Sequence, residues 1–309
     1  MANKIKLPRT LLEFIAARPG ARWQSIRSEA SRRRFYRIRR GRSDLVAMVY
    51  PEPSRDDVER FLTVQRIYAS HGLRVPRIHD VLDDQVVLQE DAGDLLLQKA
   101  WRQGGTGQRV HLLNECREIL RMLAAVPPAM AGSRLDPARQ KWEMDFFLKH
   151  FFPHYPRGGC DETVLREGLA QLVESIGTET VFAHRDFHSR NLLVKGGAIV
   201  MVDFQDSLLA PRYYDLASLV FDSYLDLGRS REILFVGREW TEDDRRQLRL
   251  TALQRNIKAL GTFAFQVHEN KHLAYARYIP RTLRHIQGHL QVLDDPGLAI
   301  LSKYFLSLL

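Results

Sequence analysis

The sequence predicts an α+β fold, with a small N-terminal lobe of antiparallel strands and one helix over residues 1–92 and a larger, mainly helical C-terminal lobe over 93–309. Three observations predict it. Ile26 to Glu90 reads as strand pair, amphipathic helix, strand pair; helical spacing dominates from Leu95 to Glu174 and again from about Thr241 to Leu309; and one apolar hairpin interrupts the helices at 192–202.

Arg34 to Arg39 and Leu45 to Val49 are strand candidates separated by Gly41-Arg42-Ser43-Asp44, a turn composition. Tyr36 and Ile38 alternate with Arg37 and Arg39, the pattern of a half-solvated strand. Pro51 and Pro53 stop the second strand because proline offers no N–H to a ladder. Ser54 with Asp57 three residues later marks a helix N-terminus of capping-box type. Val58, Phe61, Leu62 and Tyr68 then recur at helical spacing until Gly72 and Pro76 end the helix. Ile78 to Leu82 and Gln85 to Leu88 form a hairpin around Asp83-Asp84, and Asp91-Ala92-Gly93-Asp94 is the connector between lobes. The helices that follow are broken at Arg102 to Arg109 and by Pro127-Pro128, Pro137, Pro153 and Pro156. Leu192 to Val194 and Ala198 to Val202, joined by Lys195-Gly196-Gly197, make the hairpin, and Tyr214 to Leu227 reads as an apolar helix.

Composition bounds the function. Hydrophobic residues at 45% and charged residues at 27% describe a globular chain rather than a disordered one. The apolar run in Met1 to Gly20 is broken by Glu13 and Arg18, so neither a signal peptide nor an anchor is expected, and a cytoplasmic location is. Cys116 and Cys160 lack metal-ligand spacing and read as reduced thiols; the eleven histidines are scattered, which argues against a transition-metal site. The net charge of +9 includes eight arginines between Arg27 and Arg42, a patch that attracts polyanions. Nucleic acid is disfavoured as a partner, because no helix-turn-helix, zinc finger or aromatic platform accompanies the charge. A monomer is the favoured state.

The chemistry concentrates in His184-Arg185-Asp186-Phe187-His188-Ser189-Arg190-Asn191 and in Asp203-Phe204 at the end of the hairpin. A carboxylate stands five residues before an amide and seventeen before a second carboxylate. Transfer of the terminal phosphoryl group of ATP to a hydroxyl needs a hard cation on the phosphates, bound by carboxylate and amide oxygens, and a carboxylate that takes the hydroxyl proton. Asn191 and Asp203 suit magnesium, and Asp186 suits the base. The hairpin is expected to return Asp203 beside Asn191. Protein kinases carry the same order, Asp then four residues then Asn, with a later Asp-Phe pair. The alternative is a turn cap at His184-Arg185-Asp186 and a strand end at Asp203, with no metal; the coincidence of loop, spacing, hairpin and second Asp weighs against it.

Four further segments join these: Ser28-Glu29-Ala30-Ser31-Arg32-Arg33-Arg34-Phe35-Tyr36-Arg37, Val202-Asp203-Phe204-Gln205-Asp206, Pro211 through Tyr214-Asp215-Leu216, and Leu253-Gln254-Arg255-Asn256-Ile257-Lys258-Ala259-Leu260-Gly261. With them the chain resembles the aminoglycoside-phosphotransferase and choline-kinase-like superfamily, small-molecule kinases of bilobal protein-kinase-like fold. Within it, the match is to the anomeric kinases that phosphorylate N-acetylmuramate and N-acetylglucosamine at C1 in peptidoglycan recycling. The resemblance implies Asp186 as catalytic base, Asn191 and Asp203 as magnesium ligands, and the loop from Ser28 through Ala30 and Ser31 to Arg33 over the ATP phosphates. Small residues there let backbone N–H groups approach phosphate.

The backbone N–H and C=O groups of the Asp91 to Asp94 connector are expected open to an adenine edge, and Glu90 and Asp91 are candidates for binding ATP. By the same resemblance, Arg190, Gln205, Asp206, Arg212 and Arg255 face the acceptor, the arginines being candidates for a lactyl carboxylate. His184, His188 and Asp215 brace the catalytic loop. One departure stands out: Met48 occupies the place of the strand lysine that pairs with ATP phosphates in protein kinases, so Arg33 or Arg34 is expected to supply that charge, and Glu59 loses its usual partner. The competing expectations are an aminoglycoside or choline-type kinase, and a non-catalytic kinase fold that binds nucleotide or nucleic acid.

Overall fold

The computed structural model describes residues 7–26, 32–41, 43–155, 160–235 and 239–308. The chain divides into two compact units, residues 1–95 with 193–205 and residues 96–192 with 206–309.

In the smaller unit, Leu7, Leu11 and Phe14 fall on one helical face, and Pro8 opens helix α1 (Arg9–Ala16). Strands β1 (Arg22–Ile26), β2 (Arg34–Arg40) and β3 (Ser43–Val49) follow, then helix α2 (Arg55–Ser70) and strands β4 (Ile78–Val81) and β5 (Val86–Glu90). The five strands form one antiparallel sheet in the order β1-β2-β3-β5-β4. Helix α1 and strand β1 lie outside the elements expected from the sequence. The signal for α1 was present in the spacing of Leu7, Leu11 and Phe14.

Strand alternation sorts the two faces of this sheet. Tyr36, Ile38, Ala47, Val49, Val86 and Leu88 share one face and form a single apolar cluster with Leu7, Leu11 and Phe14. Arg37 and Met48 fall on the other face. The Ser54 hydroxyl caps α2 by accepting from Asp57 N–H, as the sequence predicts.

The hairpin of β7 (Leu192–Lys195) and β8 (Ala198–Met201) forms as expected, with Gly196 and Gly197 both at positive φ, +60° and +82°. Residues 193–205, counted in the 93–309 lobe from sequence, associate with the smaller unit. Val194 N–H donates to Leu95 O, Met201 N–H donates to Arg74 O, and Phe204 stacks on Phe61 and lies against Tyr68.

The larger unit contains α3 (Leu97–Gln103), α4 (Thr106–Ala125), α5 (Pro137–His150), α6 (Glu162–Ser175), the strand pair β6 (Thr180–Ala183) and β9 (Leu208–Pro211), α7 (Tyr214–Val220), α8 (Glu242–His268), α9 (Ile279–Leu293) and α10 (Ala299–Leu306). Its core gathers apolar residues of α5, α6, α8, α9 and α10. A reciprocal cap between Thr241 and Asp244 starts α8, whose Gly261 lets α5 approach so closely that a Cβ would lie 2.8 Å from Phe147 Cα.

The helix expected over Tyr214 to Leu227 stops at Val220. Just beyond it, the Asp222 carboxylate accepts from Tyr224 N–H at 2.7 Å and from Ser189 N–H at 2.8 Å, so local side-chain bonding replaces helix continuation. No helix among the described residues is long and apolar enough to cross a membrane.

Candidate active site

In the larger unit, β6 delivers the chain into the loop His184 to Asn191, and α7 anchors that loop. Asp215, in the first turn of α7, accepts from His184 N–H at 2.6 Å and Arg185 N–H at 2.9 Å. Burial pushes its carboxyl up to about 7, against those two donors, which favour the charged form. Arg185 is held at φ +74°, a left-handed conformation that costs a residue with a Cβ roughly 1–3 kcal/mol and concentrates at functional sites.

The loop then closes on itself. Asp186 N–H donates to His184 Nδ1 at 3.3 Å, His188 N–H donates to Asp186 O, and Asn191 N–H donates to His188 O. Asn191 Nδ2 also donates to Asp186 O at 3.1 Å, which spends the amide nitrogen and leaves Oδ1 as its acceptor. His184 and Asp215 therefore brace the loop; His188 meets Tyr224 edge to face.

The Asp186 side chain retains 36% exposure and has Lys258 Nζ 3.9 Å from Oδ1. Burial acts to raise its pKa, but Lys258, His188, Arg185 and Arg255 outweigh that and hold the carboxyl well below the usual range. Behind it lies Glu143 of α5, 1% exposed, which accepts from Arg185 Nη2 at 2.8 Å and Gln254 Nε2 at 3.0 Å and faces Lys258 Nζ at 3.7 Å. Lys258 Nζ also donates to the Tyr214 hydroxyl at 3.5 Å. Sequence reasoning gave Lys258 and Glu143 no role. Their one signal was a charged residue set within an apolar helical stretch.

The remaining acceptor candidates of this unit differ in setting. Arg255 on α8 is 7% exposed, and its Nε is buried without a hydrogen-bond partner among the described residues. Arg190 lies over the rings of Tyr224 and Tyr278 and donates to Tyr278 OH at 3.4 Å. Arg212 Nη1 donates to both Glu179 oxygens at 2.6 and 2.7 Å, so its charge is committed at the surface. Asp206 is exposed at the start of the segment that leads into β9.

In the smaller unit, Asp203 follows β8 at φ +63°, the second strained position at a residue singled out from sequence. Arg33 Nη2 pairs with Asp203 Oδ1, and Gln205 Nε2 donates to the same oxygen at 3.3 Å, which leaves Oδ2. Arg33 Nη1 donates to Gln205 Oε1 at 2.8 Å and lies 3.5 Å from Met48 Sδ. A guanidinium thus stands beside the methionine that replaces the expected lysine. Arg34, the other candidate for that charge, is exposed, and Glu59 pairs at the surface with Arg66 at 3.7 Å. Ser28, Ala30 and Ser31 lie outside the described residues.

Two expectations for this unit are corrected. Arg37, read as half-solvated, is only 4% exposed, because Asp91 and Asp94 both bond its guanidinium. The connector's backbone, expected open, is partly used: Gly93 N–H donates to Asp91 Oδ1 at 2.9 Å and Lys195 Nζ to Asp91 O at 2.7 Å, while Glu90 at the end of β5 gives its N–H to Arg77 O and accepts from Lys195 Nζ at Oε1.

Among the described residues, no three His, Cys, Asp or Glu side chains gather as a metal cage. Magnesium does not need one, since it binds through one or two protein oxygens with substrate phosphates and water. Asn191 Oδ1 and Asp203 Oδ2, taken each within its own unit, are hard oxygen donors of the type magnesium accepts.

This chain belongs to the phosphotransferase enzyme family, whose profile matches residues 22–251. It is a phosphotransferase. A Pseudomonas aeruginosa protein named N-acetylmuramate/N-acetylglucosamine kinase is 27% identical over 299 residues, covering 91% of this chain and 87% of that protein. Among solved structures, a thermostable mutant of the aminoglycoside phosphotransferase APH(4)-Ia in its apo form has a TM-score of 0.62 at 16% identity, covering 91% of this chain and 99% of that one. A D198A mutant of the same enzyme, in ternary complex with ADP and hygromycin B, has a TM-score of 0.59 at 17% identity, covering 89% and 97%. These likenesses establish the α+β, protein-kinase-like fold.

Proposed function

We propose that this enzyme phosphorylates the anomeric hydroxyl of N-acetylmuramate, N-acetylglucosamine or both, with ATP and magnesium, in cytoplasmic recycling of cell-wall sugars. Residues 1–92 would grasp ATP. The observation that carries the reading is the set of cationic groups around Asp186, namely Lys258, Arg185 and Arg255. Glu143 and Asp186 offset Arg185 and Lys258, so the buried Arg255 is the cation in excess, which suits a neutral or anionic acceptor better than a polycationic aminoglycoside or the quaternary ammonium of choline. The name of the 27% identical relative supports the same choice.

In the reaction, Asp186 takes the proton of the acceptor hydroxyl while that oxygen bonds the γ-phosphorus and the phosphorus–oxygen bond to ADP breaks. An anomeric hydroxyl is more acidic than an ordinary alcohol, so the base does comparatively little and positioning does more. Magnesium held by Asn191 and Asp203 would neutralise charge on the phosphates. A lactyl carboxylate would give the buried Arg255 guanidinium the partner its Nε lacks, with Arg190 as a second cation.

The test is ADP release with N-acetylmuramate, N-acetylglucosamine, choline and kanamycin, with the product followed by phosphorus NMR. A sugar 1-phosphate is expected. Turnover with the amines alone would displace this reading, and silence on every acceptor together with tight binding of DNA or RNA would point to a scaffold. A companion prediction concerns the missing lysine: Arg33→Ala is expected to raise the KM for ATP by about tenfold, the equivalent of one charge-assisted contact. An unchanged KM would remove Arg33 from the phosphates.

A further inference from the structure

The acidic and basic groups behind Asp186 form a closed set. Glu143 and Asp186 carry two negative charges; Arg185 and Lys258 carry two positive ones, and all four belong to the larger unit. Lys258 is the member that reaches both carboxylates. Its ammonium reaches Glu143 at 3.7 Å, Asp186 Oδ1 at 3.9 Å and the Tyr214 hydroxyl at 3.5 Å.

Three separate elements fix that ammonium. α8 supplies Lys258 and, one turn earlier, Gln254, which bonds the same Glu143; α5 supplies Glu143; α7 supplies Tyr214. A lysine stem has four rotatable bonds and loses much rotamer freedom when it is held. Such ordering exceeds what a plain counter-charge to Glu143 needs, since Arg185 already pairs Glu143. Among the described residues, the loop bonds Asp186 through its backbone N–H and carbonyl.

We infer that Lys258 is a positioning residue for Asp186: its ammonium, tethered by Glu143 and the Tyr214 hydroxyl, holds Oδ1 so that Oδ2 is presented to the acceptor hydroxyl. The inference rests on Asp186 being the base. Lys258 itself stays behind the carboxylate and acts through it, orienting the oxygen that receives the proton. Orientation of this kind raises the rate of the chemical step and leaves ground-state binding alone, so its loss falls on kcat rather than KM.

The experiment compares Lys258→Met, Lys258→Arg and Tyr214→Phe in the full chain, with melting temperature measured beside steady-state kinetics. Lys258→Met is expected to lower kcat by roughly a hundredfold, within the range a misplaced base costs, with both KM values held within about twofold. Lys258→Arg should recover at least a tenth of the wild-type rate, because the charge returns on a stem of similar length. Tyr214→Phe removes one tether and no charge; a loss of about threefold to tenfold in kcat alone is expected, and this mild variant decides the matter if Lys258→Met fails to fold. Equal losses in kcat and in binding, or no loss in kcat with either variant, would overturn the inference. If wild-type protein phosphorylates no sugar, the proposed function fails instead, and the same kcat comparison is then made with whichever acceptor of the panel it does phosphorylate.

Discussion

Asp186→Asn is expected to lower kcat by about 10²–10⁴-fold, the span contributed by a positioned general base, while the KM for ATP stays within about twofold. The amide keeps the shape of the carboxylate and cannot take a proton at the operating pH. The loop should survive the change, because its bonds run through the Asp186 backbone N–H and carbonyl and through the Asp215 anchor, none of which the substitution touches. Charge balance behind it also survives in part, since Glu143 still faces Arg185 and Lys258. Single-turnover kinetics with saturating acceptor measure the chemical step directly. A variant that kept a third or more of the wild-type rate would show that another group takes the proton, or that none is needed for so acidic a hydroxyl.

The parts of this site that were legible in the sequence are those fixed by short-range geometry. A two-residue hairpin turn with both φ positive requires glycine-like residues, and Gly196-Gly197 meets that need, so the hairpin ahead of Asp203 could be read directly. Ser54 with Asp57 marked the start of α2 for the same local reason. Arg37 shows where such reasoning stops. Alternation assigns its face correctly, but whether that face is wet depends on Asp91 and Asp94, which lie 54 and 57 residues away. The end of α7 was hidden likewise, because Asp222 bonds Ser189 from 33 residues on. Lys258 and Glu143 offered only a charge within a helical stretch, with no sign of a partner. A lysine in the apolar run of α8 gives no local sign of its counter-charge on α5, and Gln254, one turn away, meets Glu143 across 111 residues.

That same burial makes Glu143 the position where a single substitution should cost most in stability. Removal of one partner from a buried ion cluster leaves the others uncompensated, a loss of roughly 3–5 kcal/mol, and Glu143→Ala would leave Arg185 and Lys258 with Asp186 as their one remaining carboxylate in the set. Glu143→Gln keeps an acceptor for Arg185 and should cost less. Urea denaturation at neutral pH measures both. The pH dependence supplies an independent check. Burial alone would raise the Glu143 pKa, but Lys258, Arg185 and Gln254 bring it below its ordinary 4.5. A carboxylate depressed by folding contributes stability that is present above its unfolded pKa and is lost as pH falls through the folded one. The gap between wild type and Glu143→Ala should therefore be full near pH 7 and shrink as pH drops below 4.5, because every other carboxylate is common to both proteins. A gap that stayed constant into acid would mean that the loss reflects the cavity left by the side chain, and that the charge of Glu143 contributes nothing to the cluster.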